Sequence, residues 1–147
     1  MTRKTITSII NAVLILLFVY AATSKLLNYG LFRFQLSKSP YLADFAGTIS
    51  WLLPFTELAV VFLLITVRLR KAGLYASLIL MLLFTGYIFA ILNYAEHIPC
   101  SCGGVLSHLS WSQHMIFNVL IILLIIAAIL LDPAETNEHP LPTRLFS

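Results

Sequence analysis

Cys100 and Cys102 are the only two cysteines in the chain, and they stand one residue apart in Pro99-Cys100-Ser101-Cys102-Gly103-Gly104. Thiol–disulfide exchange needs an attacking thiolate, a second sulfur to resolve the mixed disulfide, and access for a partner. A Cys-x-Cys pair supplies both sulfurs in one small ring. Strain in so tight a ring favours a labile, more oxidising bond. The same ring closes almost no chain, so its contribution to loop entropy is small. Pro99 stiffens the entry, while Gly103 and Gly104 let the backbone turn and a partner approach. Two other readings of the pair stay open. One is a passive loop disulfide or two inert thiols. The other is a metal site, because His97, Cys100, Cys102 and His108 lie within twelve residues and zinc takes four N/S ligands. A single intervening residue is shorter than the usual Cys-x2–4-Cys and makes a cramped chelate.

The second group of chemically capable residues sits inside apolar sequence. Glu57 lies eleven residues before Arg68, roughly 16 Å along a helix, which is mid-depth in a hydrocarbon core about 30 Å thick. A carboxylate there is a functional-site candidate by default. Lys25 is its expected partner, with a long stem able to bend inward. Tyr20, Thr23, Ser24, Thr56 and Asn118 are available as hydrogen-bonding neighbours. The pair reads either as a polar pin between two helices or as a proton-handling group. Pro54, three residues before Glu57, can kink the helix and free a carbonyl. Thr85, Tyr87, Asn93, His114 and Asn118 read either as interhelical hydrogen bonds or as a polar pocket beneath the cysteine segment. Trp51, Trp111, Tyr41 and Tyr94 fit an aromatic belt at one interface.

The elements that must position these residues are membrane spans. The chain is 60% apolar and 10% charged, against about 45–50% and about 25% in soluble domains. Its mean hydropathy is +0.95. About 20 apolar residues cross a bilayer as a helix. That predicts four spans, at about residues 6–27, 48–67, 73–94 and 114–131, within one membrane domain of residues 1–132. A polar tail, 133–147, follows Asp132-Pro133, where proline ends the last helix. The mixed stretch from Asn28 to Gly47 predicts a short interfacial helix leading into span two. Only a few residues join spans two and three, which makes them antiparallel neighbours. The first apolar run is long for a signal peptide, whose apolar region is about 7–15 residues, and is read as a retained helix. The fold class is therefore all-α, an integral membrane four-helix bundle.

The net charge is +3, but most basic residues flank apolar runs, so they read as topology and headgroup anchors and not as a nucleic-acid surface. With the N-terminus inside, the inner segments carry Arg3, Lys4, Arg68, Arg70, Lys71 and Arg144, and the outer ones Lys25, Arg33 and Lys38. The positive-inside rule then puts both termini in the cytoplasm and the cysteine segment outside. In a bacterial inner membrane that is the side where disulfides persist.

Taken in order, several stretches resemble the MauE/DoxX family of redox-associated membrane proteins, in particular its MauE-like branch. They are Ala22-Thr23-Ser24-Lys25-Leu26, Trp51-Leu52-Leu53-Pro54-Phe55-Thr56-Glu57-Leu58, Phe84-Thr85-Gly86-Tyr87-Ile88, Pro99 to Gly104, Leu109-Ser110-Trp111 and Phe117-Asn118. The resemblance implies a four-helix membrane fold working beside a thioredoxin-like periplasmic protein or a disulfide-containing client. Cys100 and Cys102 would then be the reactive pair, with Lys25, Glu57, Thr56, Tyr87 and Asn118 as supporting polar residues. DoxX relatives keep a quinone link open as a cofactor. Full relays to quinone generally use two cysteine pairs, and this chain has one, so it is expected to act as one station of a relay. The rival expectation is a non-catalytic scaffold subunit of a larger membrane complex, or a homo-oligomer. A small-solute carrier centred on Glu57 would need a water-filled path for which four spans leave little room.

Overall fold

The computed structural model describes residues 2–96 and 110–132. Five α-helices carry them: α1 (Arg3–Leu27), α2 (Tyr29–Ser37), α3 (Ala46–Ile65), α4 (Arg70–Tyr94) and α5 (Trp111–Leu131). Four helical segments, α1, α3, α4 and α5 with their flanking turns, are long and apolar enough to cross a membrane. The short α2 lies between the first two of them, where the mixed stretch predicted a helix. No strand occurs among the described residues, and the molecule is an all-α multi-pass membrane bundle.

The helices extend beyond the expected spans at their N-termini, and local chemistry explains two of the cases. In α1 the Thr2 side chain accepts from the Thr5 backbone N–H, so the helix starts at Arg3. In α5 a capping box starts the helix at Trp111. Gln113 N–H donates to Ser110 Oγ (3.3 Å), and Ser110 N–H donates to Gln113 Oε1 (2.9 Å). Each bond satisfies a donor that a helix start otherwise leaves orphaned. A 3-10 turn over Val67–Leu69 joins α3 to α4.

Helical spacing selects the inward faces. Ile10, Leu14 and Phe18 of α1, Val60, Val61 and Leu64 of α3, Leu74, Leu80 and Met81 of α4, and Ile121, Ile125 and Ala128 of α5 form one core. In α1 and α5 they recur three or four residues apart, and in α4 buried Ser77 fills the step between Leu74 and Leu80. In α3 Val60, Val61 and Leu64 stand at i, i+1 and i+4. This spacing puts each set on one face. α1 packs on α3 and α5, and α4 packs on the same two helices. Gly73 permits the α3–α4 crossing: a Cβ there would come within 2.9 Å of both the Leu64 backbone nitrogen and a Leu64 side-chain methyl. Small residues at such crossings let backbones approach closely. Near the same level, Asn11 Nδ2 donates to the Leu64 carbonyl at 3.2 Å, tying α1 to α3. α2 lies against α3 through a second small cluster of Phe32, Leu36 and Ala46.

Candidate functional site

Two inward stripes meet at the site. On α1 the buried residues Leu14, Phe18 and Ala22 run at four-residue steps, and Lys25 follows three residues later. On α3 the buried series is Ser50, Pro54, Glu57, Val61 and Leu64. The two stripes face each other, and their charged members pair: Lys25 Nζ donates to Glu57 Oε1 at 2.7 Å. Lys25 lies in the last turn of its helix and also donates to the Ala21 carbonyl at 3.3 Å, a favourable place for a cation. The ammonium lies 5.9 Å from the Phe32 ring centroid and 5.7 Å from that of Phe84, within cation–π range. Glu57 is 1% exposed, and its second oxygen, Oε2, is buried with no hydrogen-bond partner among the described residues.

The pair opens onto a cavity of about 410 Å³. Its walls come from the C-terminal part of α1, from α2, from the N-terminal half of α3, from the C-terminal half of α4 and from the N-terminal part of α5. Most of the lining is apolar. The polar groups that reach it are Tyr20, Ser24, Lys25, Glu57, Tyr87, His114 and Asn118, with Trp111 beside them. The lining runs from buried Glu57 to exposed Tyr20 and Leu83, so the cavity joins the ion pair to the outer surface of the bundle.

The candidate residues sort clearly. Lys25, Glu57, Tyr87 and Asn118 come together around one cavity. Thr56 does not join them: its hydroxyl donates back to the Leu52 carbonyl at 2.7 Å. Thr85 and Asn93 do the same, to Met81 O at 2.7 Å and Phe89 O at 2.8 Å. A short polar side chain on an apolar helix satisfies itself most readily on the carbonyl one turn back. Trp51 stays on the outside, against Tyr29 and Phe55, but Trp111, expected in the aromatic belt, lines the cavity.

Tyr87 makes a contact that sequence reasoning missed. Its hydroxyl bonds the Ser39 hydroxyl at 2.5 Å, and Ser39 is buried in the turn after α2. Beside Pro40, Ser39 reads only as a turn residue, and nothing local marks its partner 48 positions away. Phe32 and Phe84 over the ammonium were equally invisible, because aromatic residues are common throughout the chain.

Cys100, Cys102, His97 and His108 lie outside the described residues, as does the tail from 133. The described residues on either side of that segment are Glu96, after α4, and Ser110, which caps α5; on those two helices the cavity lining ends at Ile88 and resumes at Trp111. Among the described residues, no group of three His, Cys, Asp or Glu side chains could hold a metal ion.

The fold and the site define an all-α, four-span membrane protein with a buried ion pair opening onto an apolar cavity. The chain matches the sequence model of the family described as methylamine utilisation protein MauE over residues 3–131, and it belongs to that family. Comparison with curated proteins and with solved structures yields no match.

Proposed function

We propose that the protein is a membrane-embedded thiol–disulfide redox component that supports disulfide formation or maturation of exported proteins. The observation that carries this reading lies in the sequence: the only two cysteines stand one residue apart in a short segment between the third and fourth membrane-spanning helices. Membership of the MauE family supports a membrane-associated maturation role, and the reading leaves the client unspecified.

In the exchange, a thiolate of the Cys100/Cys102 pair attacks a partner disulfide. One partner S–S bond breaks and a mixed disulfide forms. The second cysteine then displaces the partner's sulfur. The pair closes as a disulfide, and the partner leaves with two thiols, having gained the two electrons and, after protonation, the two protons that the pair gave up. The reverse direction hands a disulfide to a reduced client. The partner is a thioredoxin-like protein or a disulfide-containing client on the extracytoplasmic side of a bacterial inner membrane, with both termini cytoplasmic, as the lysine and arginine distribution supports. Lys25 and Glu57 hold α1 to α3, with Tyr87 and Asn118 lining the same cavity.

The test is alkylation trapping of the pair in cells, combined with single Cys100→Ser and Cys102→Ser variants. A redox component changes its thiol state when the partner or the respiratory chain is removed, and one single variant accumulates a mixed disulfide. A scaffold with a passive loop disulfide keeps an unchanged thiol state, and a double serine variant still assembles and works.

A further inference from the structure

The cavity beside the ion pair combines one polar corner with a long apolar wall. Its volume, about 410 Å³, lies within the range of small-molecule sites, about 300–1,000 Å³. In the corner, Glu57 Oε2 is buried and has no donor among the described residues. The Lys25 ammonium has three donors, of which, among the described residues, one goes to Glu57 Oε1 and one to Ala21 O. One acceptor and one donor are therefore left on adjacent groups. Around them the walls are apolar, with Leu17 and Phe18 from α1, Phe84 from α4 and Phe117 from α5.

The occupants such a space could take differ in what each satisfies. A water molecule donates to Oε2 and accepts from Lys25, but it takes only about 30 Å³, and the apolar remainder gives further waters few polar partners. The acyl chain of a phospholipid fills the apolar part and leaves Oε2 buried and empty, the costly state for a polar atom. An ionised head suits neither group, since a carboxylate would face Glu57 and an ammonium would face Lys25. A single hydroxyl on an apolar chain donates to Oε2, accepts from Lys25 and covers the apolar walls at once. Exposed Tyr20 and Leu83 also line the cavity, so such a chain can enter from the lipid-facing surface.

We propose that this cavity binds a lipid-soluble alcohol, one hydroxyl on an uncharged apolar chain, with the O–H donating to Glu57 Oε2 and the same oxygen accepting from Lys25. Straight-chain and isoprenoid alcohols share this chemistry. The methyl ether of the same chain accepts from Lys25 but has no proton for Oε2. A hydrogen bond to a charged acceptor, set against a buried acceptor left empty, separates alcohol from ether by about tenfold in affinity.

The experiment uses the full chain in lipid nanodiscs. The Trp51→Phe protein retains Trp111 as its single tryptophan, in the cavity wall. ω-Bromododecanol is titrated as a heavy-atom quencher of Trp111 fluorescence and then competed with dodecanol, with farnesol or with dodecyl methyl ether. The expected result is saturable quenching, reversed by dodecanol at about one tenth of the ether concentration. Farnesol compared with dodecanol then distinguishes the sources: the alcohol effective at the lower concentration gives the class of chain. Trp111→Phe protein, which reports from exposed Trp51, shows only non-saturating quenching. Lys25→Met/Glu57→Met, introduced into the Trp51→Phe protein, replaces both charges with apolar side chains of similar length. With its helicity checked by circular dichroism, it is expected to lose the preference for alcohol over ether. Non-saturating quenching of Trp111, equal competition by dodecanol and its methyl ether, or a preference that survives in the double variant would each overturn the proposal. The comparison of alcohol with ether leaves the ion pair intact, so it decides the matter even if the double variant does not fold. None of these outcomes bears on the thiol state of Cys100 and Cys102, so the site and the exchange reaction can fail separately.

Discussion

Lys25 and Glu57, thirty-two residues apart in the chain, meet at 2.7 Å between the last turn of α1 and the middle of α3. Each is a liability alone in an apolar bundle. Removing one member of a buried pair strands the other charge, at about 3–5 kcal/mol, whereas replacing both with apolar or neutral groups of similar size is often near neutral. Lys25→Met and Glu57→Gln are therefore each expected to lower stability by several kcal/mol, and the double variant to recover most of the loss. Reversible unfolding in detergent micelles reads all three; losses that simply add would show that the two side chains act separately.

Gly73 sets the distance between α3 and α4. A Cβ at this position meets the Leu64 backbone nitrogen at 2.9 Å, and a backbone atom cannot swing aside as a side chain does. Gly73→Ala is expected to cost about 1–3 kcal/mol by overpacking, despite alanine's better helix propensity. Gly86 has open space around its missing Cβ, so Gly86→Ala serves as the control and should be neutral or slightly stabilising. Thermal unfolding of the two variants side by side compares the positions.

The Ser39–Tyr87 bond fastens the turn after α2 to α4. Ser39→Ala and Tyr87→Phe should show a coupling energy of about 0.5–1.5 kcal/mol in a double-mutant cycle. Hydrogen exchange should quicken in the turn from Lys38 to Leu42 in either single variant, with α5 unchanged. Uniform quickening throughout the bundle would mean that the bond supports global stability instead of this one turn.

For the exchange reaction, Cys100→Ser and Cys102→Ser should leave the helical content and expression level of the bundle unchanged, because serine keeps the side chain's length and the core clusters of the described residues are built from the helices. Activity in disulfide maturation should fall to background in both. Non-reducing electrophoresis should capture a covalent partner in one of the two, and the identity of that partner names the client or the thioredoxin-like donor. Wild-type maturation in the double serine variant would refute the exchange mechanism.

The orientation has a direct readout. A membrane-impermeant thiol reagent should label Cys100 and Cys102 on intact spheroplasts after mild reduction. Labelling only after lysis would reverse the topology and place the pair in the cytoplasm.

The sequence by itself determined the number of spans, the short helix after the first, and the isolation of Glu57 within an apolar run. These follow from length and polarity, which hold for any packing of the helices. It also placed the cysteines between spans three and four. A finer sequence signal was available at Ser110-Trp111-Ser112-Gln113, where the capping box moves the start of α5 ahead of its expected place. What only the tertiary structure decided is which way each helix turns. In a soluble protein the polar face of a helix points to water and reveals the inward stripe. Here the core and the lipid surface are both apolar. Leu64 and Leu74 are buried while Leu83 and Leu130 are exposed, with no difference in residue type to separate them. Periodicity therefore could not show that Thr56 would turn back to its own helix, that Trp111 would face inward, or that Ser39 would meet Tyr87. The cavity arises from the same undetermined rotation: it exists because α1, α3, α4 and α5 present Lys25, Glu57, Tyr87 and Asn118 to one space, a match that only packing can make.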